Sequence, residues 1–110
     1  SRFALIATLA HVFREEQILE LQQLVNQIYI SEPIQEYLLD LTEETRKNRY
    51  GLSTRGLLAL KRAAQAHALI ENRAFVTPDD VQAVFVAVAS HRLGLSEAET
   101  LNLMQQVAIS

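Results

Sequence analysis

Four helix-start signals, each followed by apolar residues at helical spacing, divide most of this sequence into segments. The signals are Ser31, Ser53, Thr77 and Ser96. A Ser or Thr in such a position can accept a hydrogen bond from a free amide in the first turn of a helix. Pro78 and Glu99 reinforce two of them, since Pro suits the first helical position and Glu three residues after Ser completes a capping box. With only 3 Gly and 2 Pro in 110 residues, the sequence predicts long helices and short turns.

The predicted fold is all-α, a small helical bundle of about four to five helices. The predicted helices cover residues 15–28, 31–47 and 54–71, the residues after Thr77, and a short segment from Ser96 through Val107. Ile18, Leu21 and Val25 recur at helical spacing and mark the apolar face of the first helix. The valines around Val84 also suit a strand, but the start signal at Thr77 favours a helix. Asn72 is expected to end the third helix in the left-handed conformation.

Composition and charge argue against several classes of protein. The chain has no Cys, so disulfides and thiolate metal sites are excluded and a cytoplasmic location is expected. Its three His are far apart, so no metal site is expected. The apolar run of residues 3–10 is too short to cross a bilayer, and no membrane partner is expected. The start at Ser1 and the absence of a signal-peptide pattern predict a piece of a longer chain.

Basic residues concentrate in the middle of the chain, although the net charge is −3. Six of the ten Lys and Arg are Arg46, Lys47, Arg49, Arg55, Lys61 and Arg62. No Asp or Glu occurs between Thr45 and Ile70, so the segment carries a local positive field. Arg55 falls in the first turn after Ser53, where a cation opposes the helix dipole unless an anion binds there. A phosphate contact and an ordinary surface arginine are both open on this argument.

The residue pattern predicts no catalytic group in this chain. Gly51 and Gly56 have the spacing of a P-loop, but Leu57 and Leu58 stand where Lys and Ser or Thr would hold phosphates and magnesium. The adjacent carboxylate pairs, such as Glu43 with Glu44, point to different sides of a helix. The chain alone is therefore not expected to be an enzyme.

The segment Gly51-Leu52-Ser53-Thr54-Arg55 resembles the G-x-S-x-R sensor-2 segment of MoxR-type AAA+ ATPases. The resemblance extends over about residues 18–93. It includes the Ala-rich third helix, residues 29–33, the pair Thr45-Arg46, residues 72–81 and the stretch His91-Arg92-Leu93. The family often has Pro where Thr54 stands and Gly where Asn72 stands, and both changes keep the expected backbone geometry possible.

The resemblance implies that residues 16–110 form the C-terminal helical lid of an ATPase and that residues 1–15 join it to a core domain. In such a lid Arg55 would contact the phosphates of ATP, bound with Mg mainly by the core, while Gly51 and Ser53 fix the helix start. Arg46, Arg49 and Lys61 would supplement the charge. The resemblance also implies a homo-oligomeric ring, commonly a hexamer, and chaperone-like remodelling of a client that the sequence does not identify.

Two alternatives remain at this point. The chain could be a free-standing helical protein-interaction module without nucleotide, for which an exposed apolar groove would be evidence. It could also bind nucleic acid through residues 46–62, but Tyr50 is the only aromatic residue there and the acidic remainder opposes binding. A nucleic-acid partner is therefore not expected.

Overall fold

The computed structural model describes residues 2–48 and 50–109, and only the backbone of residues 10, 12 and 13. Its helices are α1 (Arg2–Asn26), α2 (Glu32–Lys47), α3 (Thr54–Ile70), α4 (Pro78–Leu93) and α5 (Glu97–Gln105). Within the described residues there is no strand, and an isolated parallel bridge joins Tyr29 to Phe75. The prediction of an all-α bundle is confirmed. Ser1 and Arg49, both named in the sequence predictions, lie outside the described residues.

Helix α1 starts at Arg2, well before the predicted start at residue 15. Residues 3–14 contain no Gly or Pro and are rich in Ala and Leu, so nothing interrupts the helix. Its apolar face is only partly buried: Val25 is 9% exposed, whereas Ile18 and Leu21 are 53% and 54% exposed. The last turns of α1 line a recess together with Ala63 of α3, and Val25 is the one buried residue of α1 among those whose side chains are described. Helix α1 continues across residue 15 without a break. The domain junction at that residue stays a prediction.

The centre of the bundle is the pair of helices α3 and α4. The residues that bury fully between them recur every four positions on each helix. They are Leu60, Ala64 and Ala68 on α3, and Val81, Phe85 and Ala89 on α4. Rows with this spacing interdigitate, and the small alanines let the two backbones approach closely. The core is completed by Ile34, Tyr37, Leu38 and Leu41 of α2 and by Leu103 of α5.

The predicted end of the third helix at Asn72 is confirmed. Asn72 has a φ of 61°, which places it in the left-handed region. Its amide donates to the carbonyl of Leu69 at 3.0 Å, and the amide of Arg73 donates to the carbonyl of Ala68 at 2.9 Å. This pair of hydrogen bonds is a Schellman motif, which satisfies carbonyls that the helix end would otherwise leave free.

A buried carboxylate fastens the turn after α3 to the start of α4. Asp80 is fully buried and accepts two hydrogen bonds from the guanidinium of Arg73, at 2.5 and 2.6 Å. It also accepts one from the amide of Thr77 at 2.7 Å and lies 2.6 Å from Nδ1 of His67 on α3. Since an ionised carboxylate only accepts hydrogen bonds, Nδ1 of His67 carries the hydrogen. The cluster ties α3 and the turn that follows it to the first turn of α4.

Three of the four predicted caps accept hydrogen bonds as expected. The side chains of Ser53, Thr77 and Ser96 accept an amide three residues on, and the last two complete capping boxes with Asp80 and Glu99. Ser31 also occupies the N-cap of its helix, but within the described chain its side chain makes no capping hydrogen bond. There Pro33 and the acidic first turn replace the side-chain cap as start signals.

The connection between α1 and α2 is held against the centre of the bundle. The buried side chain of Gln65 donates to the carbonyl of Ile28 at 2.9 Å. Tyr29 donates to Ala74 at 2.8 Å and accepts from Val76 at 2.9 Å through backbone groups. These contacts fix residues 28–30 to α3 and to the turn that follows it. Among the described helices, none is long and apolar enough to cross a membrane.

Candidate functional site

Arg55 lies in the first turn of α3, directly after the N-cap Ser53, as the sequence predicted. The residue is exposed. Within residues 2–48 and 50–109, its guanidinium makes no hydrogen bond and no ion pair. A cation at the positive end of a helix dipole is unfavourable by roughly 0.3–1 kcal/mol. The position therefore leaves a cation available at an electrostatic cost to the fold.

The backbone around Arg55 offers hydrogen-bond donors that point out of the helix start. The amide of Gly56 is satisfied by Oγ of Ser53 at 3.1 Å. The amides of Ser53, Thr54 and Arg55 have no partner within the described residues. Free amides at a helix start, together with the dipole and a guanidinium, favour a bound anion such as phosphate.

The loop before α3 is shaped by a buried side chain on α2. Oγ1 of Thr45 accepts the amide of Leu52 at 3.0 Å and donates to the carbonyl of Thr42 at 2.6 Å. The carbonyl of Thr45 accepts the amides of Tyr50 at 2.8 Å and Gly51 at 3.0 Å. Gly51 has a φ of 60°, so the loop uses a left-handed residue to turn into α3. Its predicted support of the helix start is consistent with this turn and stays a prediction.

Gly56 is needed for close packing. A Cβ atom at this position would lie 2.5 Å from Cδ1 of Leu52. Leu52 is only 1% exposed and belongs to the core, so its side chain has little room to move. The P-loop-like spacing of Gly51 and Gly56 thus reflects a turn and a packing contact.

The predicted accessory cations are not all beside Arg55. Lys61 follows Arg55 by six residues and so projects about 240° away around the axis of α3, where it borders a groove lined by Leu39 and Leu58. Arg62 follows by seven residues and lies on the side of Arg55, about two turns away. Arg46 is exposed in the last turn of α2. Arg49 is not described, and the accessory roles stay predictions.

An open recess of about 470 Å³ borders the same loop. Tyr50, Gly51 and Ser53 line one side, and His91 and Arg92 in the last turn of α4 line the other. Sequence reasoning named His91 and Arg92 as part of the resemblance but gave them no role. Arg92 at the C-terminal end of α4 complements that helix's dipole and adds positive charge beside the start of α3.

A hydrogen bond joins this loop to the last helix. The hydroxyl of Tyr50 donates to Oε2 of Glu99 at 3.0 Å. This bond raises the pKa of the Tyr50 hydroxyl. The backbone and side chain of Ser96, and then Tyr50, hold the pKa of Glu99 below its usual value. The loop that carries Arg55 is therefore tied to the capping box of α5, through an exposed contact.

Among the described residues, no three His, Asp or Glu side chains are grouped around a point where a metal ion could bind.

The sequence pattern of the AAA lid domain matches residues 41–108, more than half of the chain. The chain belongs to the AAA lid domain family. This match includes the loop shaped by Thr45, the start of α3 with Arg55, and the recess beside them.

Relatives of this lid domain include larger proteins. The chain is 35% identical over 107 residues to the uncharacterized protein YeaC of Bacillus subtilis strain 168, and the alignment covers 94% of the chain and 33% of YeaC. Protein MoxR of Paracoccus denitrificans is 45% identical over 60 residues, which are 54% of the chain and 18% of MoxR. The predicted identity, the lid of a MoxR-type AAA+ ATPase, is confirmed.

A solved structure supports the same assignment. The crystal structure of a presumed ATPase from Cytophaga hutchinsonii superposes with a TM-score of 0.75 at 26% sequence identity. The superposition covers 86% of the chain and 36% of the Cytophaga protein. The chain thus spans about a third of that protein and of YeaC, and a smaller share of MoxR.

Proposed function

We propose that this lid domain closes over ATP held by an ATPase core in the same chain, and that Arg55 contacts the nucleotide phosphates. The observation that carries the proposal is the exposed guanidinium of Arg55, which lies beside the amides of Ser53 and Thr54 and, like them, has no hydrogen-bond partner among the described residues. If Arg55 were an ordinary surface arginine, its unfavourable interaction with the dipole of α3 would have no compensation. A bound phosphate would make the interactions at this helix start favourable.

The residues at the start of α3 fit a phosphate group. Arg55 would donate hydrogen bonds to phosphate oxygens, and its planar guanidinium suits bidentate contacts. Gly51 and Ser53 would fix the backbone from which Arg55 projects. ATP supplies the phosphoanhydride bond whose hydrolysis drives the motion of the ATPase. We assign Mg²⁺ to the core, because the described part of the lid offers no cluster of carboxylates for it.

The exposed apolar surface of α1 supports a contact with further parts of the parent protein. Phe3 is 87% exposed, and Leu5 and Ile6 are each 61% exposed. A helix that is apolar around most of its circumference is normally buried in a larger structure. In our proposal residues 1–15 form the junction with the ATPase core and residues 16–110 form the lid. An interaction module would use the same apolar surface, so nucleotide experiments must separate the two functions.

For the parent protein, we propose a cytoplasmic ATPase that assembles as a homo-oligomeric ring, a hexamer in the simplest case. Movement of the lid relative to the core would couple hydrolysis to chaperone-like remodelling of a client protein. The match to protein MoxR, which is limited to the lid, supports this assignment.

The decisive experiment replaces Arg55 by Ala in the full-length protein and measures ATP hydrolysis and ATP affinity. Removal of a charge-assisted contact worth about 1.5–3 kcal/mol should lower kcat/KM for ATP roughly ten- to a hundredfold. The matched control is Arg62→Ala, which removes the same charge from the same side of α3, about two turns from the helix start.

The control should hydrolyse ATP like the wild type. If Arg55→Ala also hydrolyses and binds ATP like the wild type while the lid remains folded, Arg55 is a surface arginine and the proposal is wrong. If both variants lose activity equally, the loss reflects net charge and not a contact with phosphate. A parent protein that neither binds nor hydrolyses ATP would favour the interaction module.

A further inference from the structure

We infer that Thr45 is a positioning residue for nucleotide binding: its buried hydroxyl sets where α3 begins and thereby where Arg55 points. The inference rests on the proposed function of Arg55 and adds a residue on a different helix. Thr45 lies in α2, ten residues before Arg55, and has no exposed surface. Its side chain can therefore influence a bound nucleotide only through the loop that it holds.

The hydroxyl of Thr45 joins two elements. Oγ1 donates to the carbonyl of Thr42 at 2.6 Å, which directs its lone pairs away from α2. It accepts the amide of Leu52 at 3.0 Å, and Leu52 directly precedes the N-cap Ser53. The hydroxyl thus satisfies a buried amide that would otherwise lack a partner at the entrance to α3.

The backbone carbonyl of the same residue holds the preceding part of the loop. It accepts the amides of Tyr50 and Gly51 at 2.8 and 3.0 Å. Three consecutive amides, of residues 50, 51 and 52, are therefore fixed by one residue. Only the third bond depends on the side chain, so a substitution of Thr45 can release Leu52 and leave the turn at Gly51 hydrogen-bonded.

The release of Leu52 should affect Arg55 directly. Leu52 is anchored in the core, and its side chain packs against Gly56 in the first turn of α3. An unsatisfied Leu52 amide would shift or fray the turn between this anchor and Ser53. Arg55 lies in that turn, so the backbone position from which its guanidinium projects would no longer be fixed, and misplacement of a charged donor weakens binding.

Thr42 provides a matched control on the same helix. It is 2% exposed, and its hydroxyl donates to the carbonyl of Leu38 at 2.9 Å within α2. Thr42→Val therefore makes the same chemical change in an equally buried position without touching the loop. A difference between Thr42→Val and Thr45→Val reports the bond to Leu52, beyond any general effect of a lost threonine hydroxyl.

The test is a double-mutant cycle in the full-length protein, with kcat and KM for ATP hydrolysis as readouts. Thr45→Val should lower kcat/KM about three- to tenfold, mainly through a higher KM, since one hydrogen bond is lost at the loop. Thr42→Val should stay within about twofold of the wild type, and Thr45→Ser, which keeps the hydroxyl, should recover most of the loss. In the Arg55→Ala background, Thr45→Val should have little further effect.

The outcomes separate this inference from the function on which it rests. If Arg55→Ala alone behaves like the wild type, the proposed function fails and the inference falls with it. If Arg55→Ala is impaired but Thr45→Val lowers kcat/KM by the same factor in its presence, only the role of Thr45 is wrong. Wild-type kinetics of Thr45→Val, or an equal loss in Thr42→Val, also overturns that role.

A second pair of variants covers the case in which Thr45→Val does not fold. Thr45→Ser removes only a methyl group, and Thr45→Cys replaces the hydroxyl by a thiol that is a poor acceptor. The inference requires a KM close to that of the wild type from Thr45→Ser and a higher KM from Thr45→Cys. Equal kinetics from the two variants would show that the hydroxyl does not position Arg55.

Discussion

The carboxylate of Asp80 lies 2.6 Å from Nδ1 of His67, and the same buried carboxylate accepts two hydrogen bonds from Arg73. Burial alone raises the pKa of Asp80, but the hydrogen bonds from Arg73, Thr77 and His67 outweigh it and hold the pKa far below its usual range. The folded lid therefore strongly favours the ionised carboxylate, which joins the central helices α3 and α4.

We expect Asp80→Asn to destabilise the lid domain by about 3 kcal/mol. The change keeps the size of the side chain but leaves Arg73 without its buried counter-charge, which is costly in a partly buried position. Denaturant unfolding followed by circular dichroism measures the loss. A change below about 1 kcal/mol would mean that solvent replaces the carboxylate at little cost.

The same cluster predicts loss of stability in acid. The folded-state pKa of Asp80 lies below its usual value near 3.8, so the folded state resists protonation more than the unfolded chain does. The contribution of Asp80 is complete above the unfolded pKa and is lost progressively as the pH falls below about 4. The free energy of unfolding of the wild type should therefore fall more steeply with decreasing pH than that of Asp80→Asn. Parallel pH profiles would contradict this.

Most of the helix boundaries could be predicted because their signals are local. Caps at Ser53, Thr77 and Ser96, and the left-handed Asn72, depend on residues within one turn of the chain. The sequence does not predict the first turns of α1, because residues 3–10 are apolar except for Thr8 and so show no helical periodicity. The sequence also does not predict how much of the apolar face of α1 is buried. Periodicity shows which side of a helix is apolar, but not how far a neighbouring element covers it.

The candidate site could be predicted only in part, because some of its contacts depend on the path of the chain and not on neighbouring residues. The position of Arg55 follows from the cap at Ser53, two residues before it. The bond between Thr45 and Leu52 spans a turn whose path the sequence does not specify, so Thr45 entered only as part of the resemblance. Likewise nothing in the neighbouring residues distinguishes the exposed Asp79 from the buried Asp80.

We expect Asn72→Gly to leave the stability unchanged or to raise it slightly. Asn72 has a φ of 61°, where glycine avoids the strain that a Cβ atom causes, although glycine also gives a more flexible unfolded chain. Asn72→Ala, which keeps the Cβ and loses the side-chain amide, should cost about 1 kcal/mol. Thermal unfolding of both variants checks the prediction. A loss of more than about 1 kcal/mol in Asn72→Gly would reveal a specific contact of the Asn side chain.

Gly56→Ala should destabilise the lid by about 1–3 kcal/mol, although Ala is the better helix former by roughly 1 kcal/mol. The new Cβ would meet Cδ1 of the buried Leu52 at 2.5 Å, and the core leaves Leu52 little freedom. Leu52→Ala is itself destabilising because Leu52 belongs to the core, but the double variant should lose less than the sum of the two single losses, because the atom that the new Cβ meets is absent. Additive losses in denaturant unfolding would show that Gly56 is needed for another reason.

The isolated lid should bind ATP no more tightly than about millimolar and should show no ATP hydrolysis. One guanidinium and a few amides offset little of the free energy lost when a ligand is immobilised. Calorimetric titration of the 110-residue chain with ATP measures this directly. A micromolar dissociation constant would mean that the lid holds a nucleotide site of its own and does not depend on a core.

Replacing Arg55 by Glu should move stability and activity in opposite directions. In the isolated lid, Glu places a negative charge at the positive end of α3, so the free energy of unfolding should rise by about 0.3–1 kcal/mol over the wild type, with Arg55→Ala in between. In the full-length protein the same carboxylate repels phosphate, and kcat/KM for ATP should fall at least as far as in Arg55→Ala, about tenfold or more. Arg55→Lys should recover only part of the activity, because a point charge cannot reproduce the planar guanidinium.

Thermal unfolding and steady-state kinetics on the same set of variants check the predicted changes in stability and in activity. A lid stabilised by Glu in a protein that hydrolyses ATP normally would mean that Arg55 has no contact with phosphate, whereas a lid destabilised by Glu would mean that the start of α3 does not act as the positive end of a dipole.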